Sequence, residues 1–230
     1  MKIGIIGAME EEIVLLKSKM LSPKECFQAN VLFISGELEG HQVVLVQSGI
    51  GKVNAAIAAT LLISQYGVET LINTGSAGGI GVGLAVGDIV VSSEVAYHDV
   101  DVTIFNYKIG QVPQMPARYT ANQRLIEKII AAAKNVGLHP IEGLIVTSDS
   151  FIAGKNQTEK IMTDFPDALA AEMEGAAIAQ VCYQFKKPFV IVRAMSDVAN
   201  EEASISFDEF IVEAGIKSAN MVLELLKTSI

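Results

Sequence analysis

The apolar run Phe189-Val190-Ile191-Val192, followed at once by Arg193-Ala194-Met195-Ser196-Asp197, constrains this chain more than any other stretch. Consecutive apolar residues of this kind fit a strand buried on both faces, the pattern of a parallel sheet. In open α/β sheets, ligands bind beyond the carboxyl ends of such strands. An arginine, a serine and an aspartate delivered together at that end argue for a site rather than for packing. Shortly before it, Ala171-Glu172-Met173-Glu174-Gly175-Ala176-Ala177 sets two carboxylates around a methionine in front of a run of small residues.

The rest of the chain alternates in the same way. Residues 2–7 read as a first strand, and Ile13, Leu16 and Met20 then recur at helical spacing. Residues 31–36 and 42–46 flank Glu37-Leu38-Glu39-Gly40-His41 and read as an antiparallel hairpin. After Ser48-Gly49-Ile50-Gly51-Lys52 a helix is expected, with Ala55, Ala58, Ala59 and Leu62 on one face. Further strands are expected at 70–73, 88–93 and 141–147. Thr120-Ala121-Asn122-Gln123 reads as a capping box for a helix running to Gly137, and Ser206-Phe207-Asp208-Glu209 as a second that starts the last helix. Residues 168–173 are expected to be extended, with a helix beginning near Glu174. An α/β fold follows, and the absence of repeats, linkers or low-complexity segments predicts a single domain over 1–230.

Composition narrows the function. Apolar residues make up 50% of the 230, and mean hydropathy is +0.41. No run reaches the roughly 18 apolar residues of a membrane span. A wide two-sided sheet and a subunit interface are the expected uses of that surface, so a homodimer is predicted. A net charge of −9 argues against nucleic acid or an anionic membrane as partner. Arginine occurs only at 118, 124 and 193, which leaves little for a site built from clustered arginines. Cys26 and Cys182 have no metal spacing, the start Met1-Lys2-Ile3-Gly4 is no signal peptide, and a cytoplasmic location is expected. His41, His98 and His139 are scattered, so no metal or other cofactor is expected.

Candidate site residues cluster after the strands. Of Glu10, Glu11 and Glu12, two are explained by the positive end of a helix, and a third could point into the cleft. Gly4 and Gly7 do not make a dinucleotide fingerprint, and Gly51-Lys52 lacks the Ser/Thr of a phosphate loop, so both readings are rejected. Thr74-Gly75-Ser76-Ala77-Gly78-Gly79 reads as a post-strand loop, either a tight turn or a backbone that approaches a ligand. Phe151, after Ser148-Asp149-Ser150, either stacks on a flat ring or belongs to the core. Residues 102–117 carry aromatics and prolines without periodicity and read as an interaction loop. Whether Glu172 and Glu174 share a face depends on where strand gives way to helix.

Taken together and in order, Gly7-Ala8-Met9-Glu10-Glu11-Glu12, Asn73-Thr74-Gly75-Ser76-Ala77-Gly78-Gly79, Ala171-Glu172-Met173-Glu174 and Arg193-Ala194-Met195-Ser196-Asp197 resemble the bacterial 5′-methylthioadenosine/S-adenosylhomocysteine nucleosidases. The resemblance includes Tyr97-His98-Asp99-Val100-Asp101-Val102-Thr103, with Asn106 standing where the family more often has glycine. It implies the nucleoside phosphorylase-like architecture, a mixed sheet curled into a partial barrel surrounded by helices. It also implies hydrolysis of an N-ribosidic bond in adenine thionucleosides. Asp197 then matches the general acid that protonates adenine N7, and Glu12 the base that activates water. Ser76 and Arg193 would help to hold Glu12 and the water, and Glu174 beside Met173 would accept from the ribose hydroxyls. Phe151 would stack on adenine, with Ile152 and Ser196 reading its edge. Met9, Ile50 and Phe207 would line the sugar and 5′-thio pocket, and Val102, Phe105 and Pro113 would cover it from a second subunit.

Two rivals follow from the same residues. A purine nucleoside phosphorylase must hold a phosphate dianion, for which arginine is favoured. A binding module would show affinity for adenine nucleosides without turnover.

Overall fold

The computed structural model describes residues 1–198 and 203–228, the side chains of 203–209 excepted. Its first half runs β1 (Lys2–Gly7), α1 (Glu10–Lys19), β2 (Leu21–Gln28), β3 (Val31–Leu38), β4 (His41–Gln47), α2 (Lys52–Ser64), β5 (Thr70–Gly79) and β6 (Ile89–Tyr97). The second half runs β7 (Tyr119–Thr120), α3 (Gln123–Asn135), β8 (Pro140–Thr147), α4 (Lys155–Asp164), β9 (Ala168–Glu172), α5 (Gly175–Phe185), β10 (Phe189–Asp197) and α6 (Ala203–Leu226).

All the strands join one mixed sheet in the order β10-β6-β8-β9-β5-β1-β4-β3-β2, with β7 on β6. β10 also pairs in parallel with β5, so β5, β9, β8, β6 and β10 form a closed ring. The partial barrel implied by the family resemblance is therefore completed by hydrogen bonding, and β1, β4, β3 and β2 extend from it as a sheet. Every residue of β10 is buried, as its unbroken apolar run demands of a strand with neighbours on both edges. α2 buries Ala55, Ala58, Ala59 and Leu62, the stripe read from its spacing. α6 packs against β10 and β5 and against α1.

Several local expectations are corrected. Thr74 to Gly79 and Arg193 to Asp197, both read as loops, remain strand because they pair with each other: Thr74 opposite Val192, Gly75 opposite Arg193, Ser76 opposite Ala194. The helix expected from Thr120 is capped instead by Asn122, whose side chain accepts from the Leu125 N–H at 3.2 Å. The last helix begins at Ala203, ahead of the expected start at Ser206. β2 and α4 went unread. β2 carries a proline and is exposed along nearly its whole length, and α4 buries only Ile161, so neither has the periodicity that reveals an element.

Segment 102–117 is irregular apart from one 3₁₀ turn, Thr103–Phe105, as expected. Asn106 ends that turn at φ +64°, a left-handed conformation that asparagine tolerates better than most residues.

Candidate active site

Six chain segments, at the ends of β1, β4, β5, β8, β9 and β10, meet to enclose one pocket. Glu12 enters from the first turn of α1. Glu10 and Glu11 are exposed, while Glu12 is 3% exposed and its carboxylate turns back over the strand ends. Its Oε2 accepts from the N–H groups of Ala8 (2.7 Å) and Met9 (3.1 Å). Its Oε1 accepts from Ser76, through N–H at 3.0 Å and Oγ at 3.2 Å. Four donors thus fix the direction of this carboxyl group.

Gly75 makes that placement possible. A Cβ at this position would lie 2.6 Å from Glu12 Oε1 and 3.0 Å from Arg193 Nη1. The glycine in this stretch thus serves close approach of a side chain to the strand, where the sequence alone left a turn or a ligand loop.

Asp197 ends β10 on the same pocket and is 1% exposed. Neighbours along a regular strand point to opposite faces, yet Ser196 and Asp197 both line the pocket. A bulge explains this: Met195 pairs with Ala77 and Asp197 with Gly78, so the extra residue of β10 re-aims the strand end. Ser196 Oγ donates to Asp197 Oδ2 at 3.0 Å.

Strand gives way to helix between Glu172, the last residue of β9, and Glu174, the N-cap of α5. Both carboxylates then converge on Arg193. Its Nη2 pairs with Glu172 Oε2 and lies 3.4 Å from Glu174 Oε2. Glu172 also accepts from Thr147 Oγ1 and from the N–H groups of Glu174 (3.0 Å) and Gly175 (2.7 Å), at the positive end of α5. Glu174 accepts from the Gly51 N–H at 2.9 Å. Burial pushes the Glu174 carboxyl up to about 8, with the neighbouring Glu172 adding to the rise and Arg193 and the Gly51 N–H opposing it.

Arg193 itself is buried beneath the pocket rather than lining it. Its ion pairs go to Glu172 and Glu174, and the Glu12 carboxyl group is a further neighbour that acts on its charge. Burial lowers its pKa and the surrounding carboxylates more than reverse this, so it stays above the ordinary arginine value.

Met9, Ile50 and Met173 line the pocket beside these groups, and Phe151 and Ile152 form a further wall. Ile50 is 50% exposed and Phe151 43%, which puts both at the mouth. Val102, Phe105 and Pro113 do not line this chain's pocket; Phe105 stands 71% exposed. The Phe207 side chain lies outside the described residues. Glu172 and Ser150 also line the pocket and were not among the candidates. Glu172 was visible as one of the paired carboxylates, but its direction depended on the strand–helix boundary.

A pocket over the carboxyl ends of strands, with carboxylates from four elements and no lysine or arginine on its described lining, defines an acid–base site on an α/β barrel. The model of the phosphorylase superfamily matches residues 2–227. A 5′-methylthioadenosine/S-adenosylhomocysteine nucleosidase of Listeria monocytogenes serotype 4b (strain CLIP80459) is 54% identical, over 99% of this chain and 100% of that one. The crystal structure of the nucleosidase from Neisseria meningitidis in complex with methylthio-immucillin-A superposes with a TM-score of 0.96 at 49% identity, covering 98% of each chain. That from Colwellia psychrerythraea 34H in complex with adenine gives 0.96 at 46%, covering 98% of this chain and 94% of that one. The chain therefore belongs to the phosphorylase superfamily and, within it, to the 5′-methylthioadenosine/S-adenosylhomocysteine nucleosidases.

Proposed function

We propose that this pocket hydrolyses the N-ribosidic bond of 5′-methylthioadenosine and S-adenosylhomocysteine, with Asp197 as general acid and Glu12 as general base. The carrying observation is that these two carboxyl groups, buried at 1% and 3% exposure, reach one pocket from different elements. Adenine leaves once a proton or strong hydrogen bond reaches N7, and Asp197 is the group assigned to supply it. A general acid in such a place is worth roughly 10²–10⁴-fold. Glu12, held in place by Ser76 and two backbone N–H groups, removes a proton from the water that attacks the anomeric carbon. An acid and a base on opposite flanks of a glycosidic bond follow the logic of inverting glycosidases.

Glu174 accepts from the ribose hydroxyls beside Met173, and Arg193 keeps Glu172 and Glu174 apart from mutual repulsion. Phe151 supplies a face for adenine, with Ile152 and Ser196 at its edge, and Met9, Ile50 and Phe207 line the 5′-thio side. Phosphorolysis is disfavoured electrostatically. Arg193 is engaged by two glutamates, Arg118 by Asp167 and Glu94, and the described lining holds four carboxylates and no cation. A phosphate dianion would meet repulsion there.

A homodimer belongs to this reading. Ile104 and Phe105 are 85% and 71% exposed on the segment that would cover a second subunit's pocket, with Val102 and Pro113 beside them. The unpaired thiols of Cys26 and Cys182 fit a reducing compartment, and we place the protein in the cytoplasm.

Incubation with methylthioadenosine in phosphate-free buffer tests the assignment. Free adenine and methylthioribose are the expected products. Adenine release that requires added phosphate would replace the hydrolase with a phosphorylase, and binding without turnover would leave only a sensor.

A further inference from the structure

At one corner of the pocket lies a group of charges with no part in the chemistry above. Lys52, the first residue of α2, sends Nζ to Asp99 Oδ2 at 2.6 Å, beyond the end of β6. The same ammonium lies 3.6 Å from Asp149 Oδ2. Asp149 follows β8, and its own N–H donates to Asp99 Oδ2 at 3.2 Å. Three segments distant in sequence are thereby tied together.

The consequence falls on the start of α2. Its N-cap is Gly51, which has no side chain to satisfy the first helical N–H groups. Asp149 does this from outside the helix: its Oδ1 accepts from the Lys52 N–H at 2.8 Å. One residue earlier, the Gly51 N–H donates to Glu174 Oε1 at 2.9 Å. Successive N–H groups at one helix end therefore grip two carboxylates, one at the rim and one in the site. Gly51 adopts φ +99°, and a Cβ there would lie 3.1 Å from Asp149 Oδ1, so glycine is what lets the rim carboxylate approach. The residues bordering this corner, Ile50 and Phe151, are both pocket walls.

Stability does not account for the arrangement. The Lys52, Asp99 and Asp149 side chains are 22%, 30% and 52% exposed, and ion pairs so placed contribute little. Position does account for it, because Asp149 supplies the side-chain acceptor for the first helical N–H of α2 that Gly51 lacks.

We propose that Asp149, with Lys52 and Asp99, is a positioning residue that holds the start of α2 so that the Gly51 N–H stays on the Glu174 carboxylate and Glu174 stays aimed at the ribose. This rests on the reading of Glu174 as the ribose acceptor, and the test separates the two.

Adenine release from methylthioadenosine is measured for the full chain carrying Asp149→Ala, Asp149→Asn, Glu174→Ala, or Asp149→Ala with Glu174→Ala, each checked for thermal unfolding. Asp149→Ala raises KM about tenfold, the scale of a lost hydrogen bond to a charged group, with kcat within about twofold. Asp149→Asn, whose side-chain oxygen still accepts the Lys52 N–H, recovers most of that loss. The double variant has the KM of Glu174→Ala alone, because the rim residue acts only through Glu174. If Glu174→Ala leaves KM unchanged, the ribose role of Glu174 falls and this proposal with it. If Glu174→Ala raises KM while Asp149→Ala does not, or the two effects multiply, the ribose role stands and the positioning role of Asp149 is overturned. Equal losses in Asp149→Ala and Asp149→Asn that track a lower Tm would also overturn it.

Discussion

Glu12 and Ser76 meet through a double contact on one oxygen: Ser76 donates both its N–H, at 3.0 Å, and its hydroxyl, at 3.2 Å, to Glu12 Oε1. The backbone donor survives any side-chain change, so the two can be separated. Ser76→Ala removes only the hydroxyl and is expected to lower kcat about tenfold with KM little altered. Glu12→Gln removes the base itself, and kcat falls by roughly 10²–10⁴-fold. Steady-state adenine release checks both. A Ser76→Ala enzyme as impaired as Glu12→Gln would mean that the hydroxyl touches the reacting water directly.

Asp197 is assigned to the leaving group, and its requirement should follow the leaving group's basicity. Asp197→Asn is expected to abolish adenine release while leaving the unfolding midpoint close to wild type. A 5-thioriboside whose leaving group departs without protonation, such as nitrophenolate, should still be cleaved by the variant. Equal loss on both substrates would move Asp197 from proton donor to binding residue.

Glu174 gives a pH signature. Its carboxyl, pushed up to about 8, is protonated in the free protein at neutral pH and becomes a better acceptor of ribose hydroxyls as pH rises through that value. KM for methylthioadenosine should therefore fall as pH rises through about 8, and Glu174→Gln should flatten the dependence. Stability moves the other way. Between the ordinary value of 4.5 and about 8, the folded chain retains a proton that the unfolded chain releases, so this group's contribution declines as pH rises across that window. Denaturant midpoints measured from pH 5 to 8 should show the decline in wild type and a weaker one in Glu174→Gln.

What could be read in the sequence was whatever carried local periodicity. The β3–β4 hairpin was legible because apolar strands flank Glu39-Gly40, both of which take positive φ in the turn. β2 was illegible because its conformation comes from pairing with β3 and not from burial. The carboxyl ends of β5 and β10 looked like loops because Gly75, Gly78 and Ser196 are poor strand formers, and only their mutual pairing keeps them extended. At the site, residue types were visible and directions were not. Glu12 could be separated from Glu10 and Glu11 only by the slot over Gly75, and Arg193 found Glu172 and Glu174 only once β9 ended between them. Asp149 left no trace, since its partner N–H on Lys52 is 97 residues away.

Arg193 and Arg118 both hold carboxylates, and burial should separate their effects on stability. The Arg193 side chain and its partners Glu172 and Glu174 are 2%, 2% and 7% exposed. Arg193→Met would leave the buried Glu172 carboxylate without its ion-pair partner, which typically costs about 3–5 kcal/mol. Adding Glu172→Gln should recover part of that loss, because it removes the stranded charge. Arg118 makes a two-pronged contact with Asp167 at 2.6 and 2.9 Å, but the side chains are 32% and 55% exposed. Water competes there, and Arg118→Ala should cost no more than about 1 kcal/mol. Chemical denaturation of the three variants checks this ordering. An Arg118→Ala loss equal to that of Arg193→Met would show that solvent reaches the buried cluster, and with it the floor of the active site.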